Sequence, residues 1–136
     1  MGGEILIGSS LAWLIIWSIL GMISGFRHDG WIEKMKQVSQ EGNLDLFWST
    51  FDGYRIQTNG HAHANVFACV AFLVGLAMKT GVIGYSSQFQ IGLAIWLFVG
   101  VVLAGIGGRL RITPIVGFGS TLFLTALIAG FIGMFV

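Results

Sequence analysis

Four stretches of the chain, 5–26, 62–78, 91–108 and 115–136, are almost free of charge. Each has the roughly 17–25 residues that a helix rising ~1.5 Å per residue needs to cross a hydrocarbon core about 30 Å thick. A soluble domain carries about 25% charged residues, whereas this chain of 136 residues carries 10%, with 55% hydrophobic. The expected fold is therefore an all-α integral membrane protein: one membrane domain over 1–136, four transmembrane helices, and an amphipathic helical connection (27–60) between the first and second. The first stretch is expected to stay as a span, because Met1-Gly2-Gly3-Glu4 offers no positive n-region and the apolar run exceeds the roughly 7–15 residues of a signal peptide core. Pro114 sits where a helix can begin without losing a needed N–H, and marks the start of the fourth span.

The charges orient the spans. Lys and Arg number 7 against 6 Asp and Glu, a net charge of +1, which leaves no basic surface for nucleic acid. Arg27, Lys34, Lys36, Arg55, Arg109 and Arg111 fall on the face reached after spans one and three, and Lys79 alone falls opposite. By the positive-inside rule the first face is cytoplasmic, in an inner or cytoplasmic membrane, with both termini outside. Helices in lipid associate through small residues that let backbones approach. Gly21/Gly25, Gly100/Ala104/Gly108, Ala126/Gly130 and Ala129/Gly133 supply such faces. Bundle packing accounts for them; docking of a partner subunit or entry of a flat cofactor is the sharper alternative.

The connection is too aromatic for a disordered linker. Trp31, Ile32, Met35 and Val38 recur at helical spacing, and after Glu41-Gly42-Asn43 a second stripe follows in Leu44, Phe47, Trp48 and Phe51. Two short amphipathic helices are expected, with Trp31, Trp48 and Tyr54 at headgroup level or covering the bundle.

All three histidines, His28, His61 and His63, fall on the positive face, with Asp29, Asp52, Arg55, Asn65, Arg109 and Arg111. Ionisable groups close to a membrane are costly unless paired or hydrated, so this concentration is the candidate site. Residues two apart on a helix diverge by roughly 200°. His61 and His63 therefore cannot face one ligand together once the helix has begun, and His61, which shares a face with Asn65, Ala68, Phe72 and Gly75, is the inward candidate. A haem b would take His28 with His61 or His63 as axial imidazoles, Arg55, Arg109 and Arg111 for its propionates, and Gly25 or Gly108 for room. A transition-metal site would take His28, Asp29, His61 and His63. The alternative is structural: helix capping, hydrogen bonding to the connection, or contact with lipid headgroups. Cys69 lies in an apolar span with no histidine near it on its helix, which disfavours a thiol nucleophile. Trp13 and Trp17, one turn apart, read as bundle core or lipid-facing bulk.

The helix start Gly60-His61-Ala62-His63-Ala64-Asn65 resembles the His-x-His-x-Asn helix start of small membrane proteins similar to the large subunits of haem-copper oxidases and nitric oxide reductases. That resemblance implies a haem- or metal-linked redox role with His61 or His63 as a ligand. Spans three and four contain no histidine, so the chain is not a terminal oxidase by itself. The expectation is a small accessory or anchoring subunit of a membrane redox or enzyme complex, not catalytic on its own. It would contact the bilayer and other membrane subunits, and would carry a haem, metal or quinone site near the cytoplasmic face. The alternatives are a free-standing b-type haem electron-transfer protein and an oligomeric transporter or channel, although no charge interrupts the middle of any span.

Overall fold

Lipid offers no partner to a backbone N–H or C=O, so apolar segments of this length close their hydrogen bonds internally as helices. The computed structural model describes residues 1–135, without the side chains of Gln57 and Asn59, and contains α1 (Gly2–Phe26), α2 (His28–Gln40), α3 (Leu44–Lys79), α4 (Ser87–Leu110) and α5 (Thr113–Ile132). All but α2 are long and apolar enough to span a membrane. The chain is thus an all-α membrane protein with four spans. Helix α5 begins with Pro114 in its first turn, as expected, and ends at Ile132; Val136, the last residue of the expected fourth span, lies outside the described residues.

Helix α4 is central and packs on α5, α3 and α1; α1 also lies along α3, while α5 scarcely touches α3. Leu6 of α1, Ala68 and Ala71 of α3, Leu93, Leu97 and Val101 of α4 and Phe123 and Ala126 of α5 form one buried cluster. The small residues are used for close approach. A Cβ on Gly100 would stand 2.7 Å from the Phe123 nitrogen, and one on Gly119 would strike the Ala104 nitrogen, so α4 and α5 meet backbone to backbone. Gly60 of α3 meets Gly108 of α4 in the same way, a Cβ there lying 3.1 Å from the Gly108 carbonyl carbon.

The end of the bundle opposite the cationic face is tied by polar contacts. Glu4 and Lys79 pair at 3.8 Å. The Tyr85 hydroxyl donates to the Ala129 carbonyl (2.9 Å), and the Gln90 amide donates to the Ile83 and Tyr85 carbonyls at 3.1 and 3.0 Å. Gly81, at φ +78°, makes the turn out of α3 that an L side chain would strain.

The connection differs from expectation in one respect. Its first stripe forms α2, with Val38 buried against α3. The second stripe is no separate helix: it is the first part of α3, which starts at an Asn43 cap, whose side-chain oxygen accepts from the Leu46 N–H at 3.0 Å, and continues through residue 60 to Lys79. Nothing breaks it, since no proline intervenes and the glycine at 60 packs against α4. Hydropathy marks where lipid begins, not where a helix begins. At ~1.5 Å per residue the 36 residues of α3 measure about 54 Å, roughly 24 Å beyond a hydrocarbon core. The outer part of α3 and α2 therefore form a helical hairpin standing on the cationic end.

Candidate functional site

Two helix faces converge where α1 passes into α2. One carries Gly21, Ser24, Gly25 and His28, at i, i+3, i+4 and i+7; the other, on α3, carries Tyr54, Thr58, His61 and Asn65, at i, i+4, i+7 and i+11. With Trp31, all of these but Asn65 line a half-enclosed cavity of about 190 Å³. Tyr54 Oη and His28 Nδ1 share a hydrogen bond of 3.1 Å, and the Trp31 ring lies 6.4 Å from that of Tyr54.

His61 is held from three sides. Its ring rests on Gly21, where a Cβ would collide with Nε2 and Cε1. The ring of Trp17, itself only 3% exposed, lies 6.0 Å away. The Asn65 side-chain nitrogen donates to His61 Nε2 at 3.2 Å. Trp13 lies tilted against Trp17 at 5.7 Å and meets Phe98 edge-on at 6.2 Å, which makes both tryptophans part of the bundle interior. The glycine that makes room is Gly21, and its occupant is the His61 ring; beside Gly25 no atom lies within 4 Å of where a Cβ would stand.

The remaining sequence candidates are dispersed. His63 is exposed, lies edge-on to Phe67 at 6.1 Å, and with Arg55 lines a separate groove of about 350 Å³ between α3 and α5. Arg55 also pairs with Asp52 at 3.1 Å. Arg109 borders a depression with Trp13, Trp17 and Leu20 on the other side of α4. Arg111 lies against Gly53, beside Trp31. Asp29 is exposed in the first turn of α2, and Cys69 is exposed within α3. The two histidines at 61 and 63 thus diverge as the helical spacing requires, and His28 joins His61.

This arrangement does not fit the metal site considered from sequence. Among the described residues no three His, Cys, Asp or Glu side chains stand close enough to hold an ion. The haem reading from sequence asked for more room and more cations at the cavity than it shows. A cavity of about 190 Å³ falls below the roughly 300–1,000 Å³ of pockets that enclose drug-sized ligands, and Arg55 and Arg109 lie on other faces. Comparison with protein-family models, with curated proteins and with solved structures finds no match, so the chemistry rests on the geometry alone.

The partners of His61 and His28 carry a signal that sequence reading passed over. Tyr54, Thr58, His61 and Asn65 keep one helical period through the Asn59-Gly60 pair. That period is visible only if the helix is taken to run on through residue 60.

Proposed function

We propose that this chain is a small subunit of a membrane redox assembly and that it contributes a quinone or quinol head-group site built from His28, Tyr54 and His61. The observation that carries the reading is the convergence of these three side chains on one half-enclosed cavity beside α1. A quinone presents two carbonyl acceptors and needs two donors; the Tyr54 hydroxyl and a ring N–H of His61 are donors of that kind. A quinol presents hydroxyls, and the His28 imidazole is an acceptor for one of them. Apolar lining with a few convergent polar groups is the ordinary composition of such sites. The hairpin supports the subunit role: Leu44 (70% exposed) and Trp48 (58%) stand uncovered on the part of α3 that outruns the bilayer, and a partner would supply the electron acceptor. The six cations against one support a reading in which the site lies at the cytoplasmic face, with both termini outside.

The test is tryptophan quenching by decylubiquinone in detergent, since Trp31 lines the cavity. Saturable quenching is expected, weakened about tenfold or more in Tyr54→Phe and His28→Ala, consistent with loss of about 1.4 kcal/mol or more per hydrogen-bonding group. Quenching that these variants leave unchanged sinks the proposal. Oxidised and dithionite-reduced visible spectra belong beside it, because sharp reduced-state bands would install a haem instead.

A further inference from the structure

The groove that contains His63 is distinct from the cavity at His61 and lies on the opposite side of α3. We infer that it binds the head group and upper acyl chain of an anionic membrane phospholipid. Its geometry is that of a lateral slot. Helices α3 and α5 scarcely touch, and α4 forms the floor between them with Ala104 and Gly108. Gly60 keeps the α3 wall low at this level, and Ser120 stands on the α5 wall. One turn beyond His63, Phe67 of α3 stacks at 4.2 Å on Phe123 of α5 and bridges the two helices.

Polarity is graded along the slot. Arg55 lies at the mouth, His63 about 12 Å further along α3, and Phe67 about 6 Å beyond that, at ~1.5 Å per residue. A phospholipid has the same order of groups: phosphate, ester linkages, then hydrocarbon. The Arg55 guanidinium meets the phosphate, His63 and the Ser120 hydroxyl stand at ester level, and the phenyl stack meets the chain. The Asp52 partner of Arg55 does not cancel this charge, because the pair is half exposed and a guanidinium has donors for both carboxylate and phosphate. The occupant arrives from the bilayer, since the slot opens sideways between spans whose outer residues, Val66 (57% exposed) and Phe118 (61%), are apolar.

The experiment is native mass spectrometry of the full chain released from nanodiscs of equal phosphatidylglycerol and phosphatidylcholine, with oleate added in a parallel sample. The wild-type chain is expected to retain one phosphatidylglycerol, at least tenfold in preference to phosphatidylcholine. Arg55→Gln should abolish the preference, and Ser120→Phe, which fills the slot, should abolish retention. Asp52→Asn should keep the preference. Decylubiquinone binding should survive in Arg55→Gln, which separates this site from the cavity at His61. Equal retention of the two lipids by the wild type, preference intact in Arg55→Gln, or retention of oleate in place of phosphatidylglycerol would overturn the assignment.

Discussion

Gly21 and Gly25 lie one turn apart on α1 and both border the cavity, yet the same substitution should move stability in opposite directions. A Cβ on Gly25 meets nothing within 4 Å. Gly25→Ala therefore keeps only the helix-propensity gain of up to about 1 kcal/mol. A Cβ on Gly21 lands in the His61 ring. Carbon contacts are most favourable near ~3.5–4.0 Å, so the ring must retreat by about 1 Å or more. Its hydrogen bond from Asn65 is already 3.2 Å long and does not survive that move. Overpacking of this kind costs about 1–3 kcal/mol and the lost bond about 1 kcal/mol. After the propensity gain, Gly21→Ala is expected to be about 1–3 kcal/mol less stable than the wild type. Equilibrium unfolding in mixed micelles, followed by tryptophan emission, reads both variants, since Trp17 is buried against His61. Combining Gly21→Ala with His61→Ala should recover much of the loss, because the clash needs both partners. If Gly21→Ala proves as stable as Gly25→Ala, the ring does not rest on Gly21 and the reasoning about the site fails with it.

Three other substitutions probe separate parts of the fold. Gly119→Ala should cost about 3 kcal/mol or more and lower the unfolding midpoint sharply, because its Cβ meets backbone atoms of α4 that no rotamer change can move. Asn43→Ala removes the cap of α3 and should cost about 0.5–2 kcal/mol, seen as faster amide exchange confined to residues 44–47. Glu4→Gln should leave unfolding within about 0.5 kcal/mol of wild type and insensitive to salt, since its pair with Lys79 is long and more than half exposed on both sides.

The spans were legible because lipid imposes a simple requirement: enough consecutive apolar residues, with internal hydrogen bonds. Pro114 was legible for the same reason, as was Gly100/Ala104, which forms the α4 contact with α5, whereas Gly21 receives the His61 ring and Gly25 meets no neighbouring helix. The inward face of α3 was read in part. Ala68 and Gly75 are buried as expected beside His61, but the deepest line runs through Ala64, Ala68, Ala71 and Met78, between the two histidine faces. Those alanines are buried because α3 packs on both α1 and α4, which no single-helix pattern reveals. Arg55 and Arg111 were grouped with the histidines by loop and charge, although their places depend on the rotation of α3 and on the left-handed turn at Arg111. The companions of His28 came into view only with the helix hairpin.

The unbroken course of α3 makes the hairpin and the buried part of the molecule a single rotational register. Each residue of a helix advances about 100°. Deleting any one residue from 49 to 58 would therefore swing Leu44 and Trp48 by more than a quarter turn about the axis while His61 stayed facing Gly21. The surface offered outside the membrane and the imidazole offered within it are phased to each other like two keys cut on one shaft, and the turn at Glu41-Gly42-Asn43 is the nearest place where added or lost residues leave that phase intact.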